Sequence, residues 1–458
     1  MSEDATLDEF VEAESDSSEP ETEDLARKTV CGIPPQDWTV ARLGELVRVV
    51  SGNSLPTEYQ NGKEGDHPVY KVSDMNATGN EKYVSDTSNR LLKEDLEEIN
   101  HTLYPEGTTI LPKVGAALLT NKRRLLTESS SFDNNVMGWV PDEINPEFLY
   151  YVSCMIDMEA VAQKGAVPSI SKAIAKSLKV PSPPLPEQRK IATVLYTVDR
   201  AIEKTEKIIK QKKELRKGLV QKLFSRGYYK YDDFEEYVFG SYPSDWKLVE
   251  LSELVVKGPQ NGIYKQNSEY GSGVSIIELS DLYNNEKEID YGDFRAVNLS
   301  DDEIAKYSLE RDDIIVNRVS KQVSGVGKAL RVTFEEDAVF ESNMIRLRLK
   351  NDIIPEYLVY FTRSENYNKY IGAVAKHSNQ ASINQSAINN LKIPLPSLDE
   401  QQEIVRVIDS VSDSIRSESE YNNQLQRLKE GLQQDLLSGT VRTTDTNIEV
   451  PDEITQHG

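Results

Sequence analysis

Two stretches of the chain carry apolar residues stepping by fours and threes. The first holds Ile191, Leu195, Val198, Ile202, Ile209, Leu219 and Leu223, with Thr205, Lys212 and Arg216 in the middle of the same seam. The second holds Ile404, Ile408, Val411, Ile415, Leu425, Leu432 and Leu436, with Glu418, Asn422 and Lys429 in its middle. A heptad stripe predicts a long helix that packs along one face against another helix. Pro186 opens the first at a first-turn position, where its missing N–H costs nothing. Asp399 is the expected N-cap of the second, and Gly227 and Gly439 stand where helix-ending glycines belong. A helix of about 38 residues is a rod of roughly 57 Å.

Elsewhere the pattern changes to short apolar runs bounded by Gly, Asn and Ser. Strands are expected at Ile110–Val114, Val136–Val140, Asp313–Val316 and Met344–Leu349, and helices starting near Pro146 and Pro355. The fold class is α+β: two pseudo-symmetric mixed α/β domains joined and spaced by two long antiparallel coiled-coil helices.

The pseudo-symmetry rests on an internal repeat. Leu178-Lys179-Val180-Pro181-Ser182-Pro183-Pro184-Leu185-Pro186-Glu187-Gln188 returns 213 residues later as Leu391-Lys392-Ile393-Pro394-Leu395-Pro396-Ser397-Leu398-Asp399-Glu400-Gln401. The match runs without a gap to Ser225 and Ser438, with 18 of 48 positions identical, and Ser169-Ile170 and Ser382-Ile383 extend it upstream. At an offset of 208, Pro35-Gln36-Asp37-Trp38 answers Pro243-Ser244-Asp245-Trp246, and Phe132 and Asn135 answer Phe340 and Asn343. Between these anchors the copies diverge. Each half is a repeated framework around an interior that is not repeated.

The net charge of −23 argues at first against a nucleic-acid partner, because neutralising phosphates takes Lys and Arg. Its distribution changes that picture. Residues 1–24 hold eleven acidic side chains and no basic one, while 187–227 hold twelve basic against five acidic. The second helix, 400–438, has eight acidic and four basic residues, so opposite charge favours pairing of the two helices. One reading of the remaining acidity is a surface adapted to high salt, where the Debye length falls to ~3 Å and recognition depends on short-range contacts. No apolar run reaches the ~18–20 residues of a membrane span. The N-terminus does not read as a secretory signal. Cys31 and Cys154, the only cysteines, make neither a disulfide framework nor a zinc site, which fits a reducing cytoplasm.

Catalytic motifs are not found. Asn145-Pro146-Glu147-Phe148 lacks the second proline of an amino-methyltransferase motif and reads as a helix N-cap followed by proline. Gly325-Val326-Gly327-Lys328-Ala329 has neither the spacing nor the Ser/Thr of a phosphate loop. His67, His101, His377 and His457 show no metal-ligand spacing. Neither a catalytic nor a metal site is expected.

The Pro-x-Pro-x-Leu-x-Glu-Gln segment, the heptad helix behind it and the two-copy layout resemble the specificity (S) subunits of type I restriction–modification enzymes, over about residues 30–440. Acidic, polar composition reads residues 1–29 and 441–458 as disordered tails; between them the resemblance implies a first target-recognition domain (30–178), a first spacer-helix region (179–228), a second target-recognition domain (229–391) and a second spacer-helix region (392–440). Each recognition domain would read one half of a bipartite site in double-stranded DNA. The helices would set the gap and dock two methyltransferase (M) subunits, with restriction/translocase (R) subunits completing the complex. S-adenosylmethionine, ATP and magnesium would belong to those partners, with no cofactor in this chain and no membrane partner. In the first domain the candidate DNA-binding residues are Lys113, Asn121, Lys122, Arg123, Arg124, Lys164 and Ser169. In the second they are Gln260, Asn261, Tyr264, Lys265, Asn317, Arg318, Lys321, Gln322, Lys328, Lys376, His377, Asn379 and Gln380. Arg pairs with guanine and Asn or Gln with adenine in the major groove. The competing reading is a non-catalytic coiled-coil adaptor whose globular domains bind proteins; a basic face on both domains would decide for DNA.

Overall fold

The computed structural model describes residues 26–62, 65–163, 165–283, 285–377 and 380–455. It separates into two compact units. Unit 1 comprises Met1–Lys204 and Asn422–Gly458, and unit 2 comprises Thr205–Tyr421.

The two heptad stripes form helices Leu185–Arg226 and Leu398–Ser438 of 42 and 41 residues, each about 62 Å long. Gly227 (φ 77°) and Gly439 (φ 79°) follow them in the left-handed conformation that ends a helix. The expected N-cap at Asp399 is corrected. The helix starts at Leu398, two residues earlier than that cap implies, and the Ser397 hydroxyl accepts the Glu400 amide at 3.4 Å. Asp399 therefore lies inside the first turn, where its charge suits the positive end of the helix dipole.

Within each unit the two helices run antiparallel. In unit 2, Lys212 contacts Ser414 (2.7 Å) and Glu418 (2.8 Å), while the Tyr228 amide just past the first helix donates to Glu400 (2.9 Å). In unit 1, Lys429 pairs with Asp199 (2.6 Å) and Arg442 with Glu187 (2.8 Å). Every seam residue named above is buried or half-buried. In the polar centre Lys212, Arg216, Glu418 and Lys429 are ion-paired, which favours one register over its neighbours, while Asn422 Oδ1 is buried with no hydrogen-bond partner among the described residues.

Each unit builds the same sheets on this helix pair. The five-stranded sheet of unit 1 orders Val47–Ser51, Val136–Pro141, Thr109–Pro112, Arg124–Leu126 and Tyr83–Val84; that of unit 2 orders Val255–Asn261, Met344–Leu349, Ile314–Asn317, Ala329–Val332 and Glu288–Ile289. A three-stranded sheet repeats likewise, Arg90–Leu91, His67–Tyr70 and Ser131–Phe132 answering Arg295–Val297, Tyr270–Ile277 and Ala338–Phe340. Expected strands and helices lie within a residue or two of their predicted starts, with helices at Pro146–Cys154 and Pro355–Phe361. The hairpin Phe234–Tyr237 with Gly240–Pro243 is found only in unit 2 among the described residues.

The repeated motifs are the clamps that hold sheet to helix. Trp38 Nε1 donates to Glu187 Oε2 at 3.0 Å, and Trp246 Nε1 to Glu400 Oε2 at 3.1 Å. Gln188 accepts the Asn145 amide and Gln401 the Ile354 amide, both at 2.9 Å, capping the Pro146 and Pro355 helices. A strand before each variable region, Thr39–Arg42 or Lys247–Glu250, pairs antiparallel with Lys179–Ser182 or Lys392–Leu395. All four clamp side chains are almost fully buried. An unpaired buried polar group costs ~1–3 kcal/mol, so substitution of one partner disfavours the whole arrangement.

A second tie runs from the variable interior to the helix. In unit 1, buried Lys82 contacts Glu147 (2.8 Å), Asp199 (3.1 Å) and the Tyr151 hydroxyl (2.7 Å). Burial works against the Asp199 charge, but Lys82 and Lys429 prevail and hold its carboxyl below the usual range. Unit 2 repeats the device: Lys287 reaches Asp409 (2.7 Å), which also accepts the Tyr360 hydroxyl.

The expected tails need correction. Arg27 already donates to the carbonyls of Pro35 (2.8 Å) and Trp38 (2.9 Å), so order begins before residue 30; residues 1–25 lie outside the described residues. At the other end, 441–455 is not disordered. Arg442 bridges Glu187 and Asp37, Ile454 is fully buried, and Asn145 Nδ2 donates to the Ile454 carbonyl at 2.9 Å. The tail does for Glu187 what Tyr228–Tyr231, just past the first helix, do for Glu400.

His101 gives unit 1 a pH dependence. Its ring is buried against the Ser131 hydroxyl (2.9 Å) and the Ser54 carbonyl (3.3 Å), and burial holds its pKa below the ordinary 6.5. The unfolded chain then binds the proton first, so stability is full above about pH 6.5 and falls as pH drops through the window below it. Thermal unfolding from pH 8 to pH 5 is expected to show this loss, reduced in His101→Gln; an identical pH slope in that variant would assign the loss elsewhere.

Candidate nucleic-acid interface

At the end of the central strand, Lys113 in unit 1 and Arg318 in unit 2 occupy equivalent places. The Lys113 amide donates to the Asn135 carbonyl and the Arg318 amide to the Asn343 carbonyl, each at 2.9 Å. Their carbonyls accept from Ile170 and Ile383, each at 3.0 Å. The next residue pairs with the repeated serine: Val114 with Ser169, Val319 with Ser382. That serine pairs in turn with Gln163 in unit 1 and Lys376 in unit 2. The same backbone scaffold therefore presents lysine in one copy and arginine in the other, each beside a loop of different sequence.

In unit 2 this scaffold is a three-stranded ribbon of Val319–Ser320, Ala381–Ser382 and Lys376–His377. It brings the backbone of Arg318, Lys321, Gln322, Lys376, His377 and Gln380 to one place. Lys321, Gln322, Lys376 and Gln380 are exposed. Arg318 is half-buried, and its Nε has no hydrogen-bond partner among the described residues. Asn379 lies outside the described residues.

In unit 1 the scaffold brings together Lys113, Ser169 and the loop after Gln163; Lys164 lies outside the described residues. Lys113 is half-buried, and its pKa is lowered by burial and by the charge of Lys172. Two close cations repel each other until an anion arrives, which makes this a favourable place for a phosphate or a base-edge acceptor. Lys172 was missed in the sequence; the signal available was its position three residues after the repeated serine.

Other sequence candidates serve the fold instead. Arg123 is 2% exposed and donates to the Ser153 and Ile156 carbonyls, closing the end of the Pro146–Cys154 helix. Asn121 takes a left-handed turn (φ 54°) and accepts the Met158 amide at 2.9 Å. Arg124 donates to the Arg123 and Met75 carbonyls, and Lys122 to Asn76. Asn317 is 2% exposed and bonds the Gly325 carbonyl at 2.6 Å. Gln260 bridges the Lys306 carbonyl and Arg346, and Lys265 is held by Glu269 and Glu303, both at 3.0 Å. Asn261 is half-buried, with no partner for its Oδ1 among the described residues. Apart from Asn261, these side chains make internal bonds, because buried carbonyls and carboxylates must be paired. Tyr264 (78% exposed) and Lys328 remain open to solvent.

Among the described residues no group of His, Cys, Asp and Glu could hold a metal ion, and no helix is long and apolar enough to cross a membrane. Cys31 and Cys154 are both free.

The chain matches the model of the type I restriction modification DNA specificity domain over residues 35–212 and again over 243–427. It is 25% identical over 421 residues to the type I restriction enzyme MjaVIII specificity subunit of Methanocaldococcus jannaschii, covering 90% of this chain and 95% of that one. It is 26% identical over 451 residues to the type I restriction enzyme StySPI specificity subunit of Salmonella potsdam, covering 92% of each. The fold is similar to the crystal structure of the type I restriction–modification system S subunit from M. genitalium, at a TM-score of 0.51 and 16% identity over 87% of this chain and 96% of that one. A chain from a structural study of type I R-M complex assembly gives 0.54 and 17% over 89% and 99%. The two matched segments together span most of the chain and each contain one clamp, one variable interior and most of one long helix, and on that ground the chain belongs to the type I restriction–modification DNA specificity family.

Proposed function

We propose that this chain is the sequence-reading subunit of a type I restriction–modification complex, recognising a split site in double-stranded DNA and bringing methyltransferase and restriction subunits to it. One observation carries the reading: an identical scaffold holds Lys113 in one unit and Arg318 in the other, each flanked by a loop unlike its counterpart. A repeated scaffold with unrepeated tips is what two different half-sites require, because base edges specify and the backbone only positions. The doubled framework supports the docking of two methyltransferase subunits. The chain contributes specificity and no catalysis. S-adenosylmethionine, ATP and magnesium would serve the partners.

The test is to sequence methylated bases in cells with and without the gene; one bipartite methylated motif is expected to disappear with it. Arg318→Ala should weaken binding of the assembled complex about 10- to 100-fold and relax one half-motif, and Lys113→Ala should relax the other. A uniform loss across unrelated sequences would reduce both residues to phosphate contacts. A methylome unchanged by deletion in cells that express the complex would overturn the reading.

A further inference from the structure

We infer that unit 2 carries a phosphate-holding cleft, with helix lysines not repeated in unit 1, that grips the DNA backbone beside the second reading surface; the inference rests on the DNA-reading role proposed above. The cleft is a cavity of about 410 Å³ between the first long helix and the variable interior of unit 2. Six basic side chains line it, against the single carboxylate of Glu286. Three of the six are already committed: Arg216 to Glu286 (2.7 Å), Lys287 to Asp409 (2.7 Å), and Arg363 to the Glu286 and Ala329 carbonyls (2.8 Å each). The other three, Lys213, Lys217 and Lys328, are exposed and make no direct hydrogen bond or salt bridge among the described residues, Lys213 lying within the field of Glu286. On a chain of net charge −23, a concavity with three uncommitted ammonium groups is a local reversal of sign.

The internal repeat is a control for a merely structural role. A feature needed by the framework recurs in both copies, as the tryptophan clamp does. At the 213-residue offset, Lys213 becomes Gln426, Lys217 becomes Glu430, and Arg216 becomes Lys429, which is paired with Asp199. The basic lining contributed by the helix is thus not repeated in unit 1. A docking surface for a partner held by both copies would also be repeated, and this one is not.

Its position selects the occupant. Tyr283 lines the cleft and reaches toward Ser320 (3.5 Å) and Asn317 (3.4 Å) of the reading loop. The Lys328 carbonyl accepts the Asn317 amide at 2.9 Å. The rim of the cleft is continuous with the ribbon that carries Arg318, so a duplex read there runs its phosphates past the three lysines. Long flexible lysines suit phosphates as point charges without base preference.

The experiment compares the intact complex carrying wild-type chain with one carrying Lys213→Gln, Lys217→Gln and Lys328→Gln together, binding a duplex with the methylated site over a range of salt. Three lost phosphate contacts should reduce the slope of log affinity against log salt by about 2 to 3, at ~0.9 per contact. The methylated motif should stay the same, and the triple Lys→Arg variant should restore the slope. An unchanged slope with the motif intact would overturn the cleft and leave the sequence-reading role standing. Loss of the partner subunits from the triple Gln variant would assign the cleft to protein docking and also overturn it. If the wild-type complex methylates no split site, it is the reading role that fails.

Discussion

Glu400→Ala is expected to destabilise unit 2 by about 2–4 kcal/mol, since four donors, the buried Trp246 indole among them, lose a shared charged acceptor at once. Glu400 is 1% exposed and has no cationic partner among the described residues. Four donors converge on its carboxylate instead: Trp246 Nε1 (3.1 Å), the Tyr231 hydroxyl (2.5 Å) and the amides of Tyr228 (2.9 Å) and Tyr229 (3.3 Å). Removing the side chain relieves its own desolvation, which offsets part of the loss. It also leaves Trp246 Nε1 with the Tyr231 hydroxyl (3.3 Å) as its remaining acceptor and frees the segment after Gly227. Denaturant unfolding of the full chain should show the transition of unit 2 moving to lower denaturant while that of unit 1 stays. Tyr231 gives a second readout. Burial and the Glu400 carboxylate push its hydroxyl up to about 12, so its absorbance titration should fall toward the ordinary value near 10 in the variant. A loss below about 1 kcal/mol with an unmoved Tyr231 titration would show that the clamp is not a stabilising element.

That clamp was legible as a pattern long before it was legible as chemistry. Trp38 with Glu187 and Trp246 with Glu400 stand out in the sequence because both copies need the same bond, and a constant offset between distant motifs is what a repeated contact leaves behind. The heptad helices were legible because periodicity is local. The reading residues were only partly so. Arg123 and Arg318 look alike in sequence, yet one is buried against helix-end carbonyls and the other sits on the ribbon. Nothing local tells a basic residue that closes a helix from one that faces a ligand. Asn317 was misassigned for the same reason: its side chain folds back on the Gly325 carbonyl. The C-terminal tail was misread because its order depends on Arg442 meeting a carboxylate 255 residues away, which composition cannot reveal. Equivalence of the copies recovers some of this. Lys113 and Arg318 share every backbone bond of the scaffold, and that shared frame separates them from the neighbouring basic residues.

Inserting one heptad in each long helix, after Lys204 and after Tyr421, is expected to abolish methylation at the original split site. The two compact units divide at these positions, so each keeps its internal contacts. The first helix continues unbroken through residue 204 and the second through residue 421, so the added residues should continue as helix. Seven residues add about 10.5 Å at ~1.5 Å per residue. The seam is preserved, because a heptad returns the packing face to within ~20° of where it was. If the helices set the spacing of the half-sites, the matching gap grows by about 3 base pairs, at 3.4 Å each. Three base pairs also turn the duplex by roughly a quarter to a third of its ~10.5-base-pair repeat. The second half-site then faces away from its reader, and the helix insertion supplies little compensating rotation. Loss of methylation is therefore the larger expected effect, with any residual activity found at the longer gap. Both outcomes are read from one methylome, and a control insertion in only one helix should disrupt the Lys212–Glu418 and Lys429–Asp199 pairings and lower stability as well. Methylation at the original gap by the doubly extended chain would mean that something other than these two helices sets the distance between the half-sites.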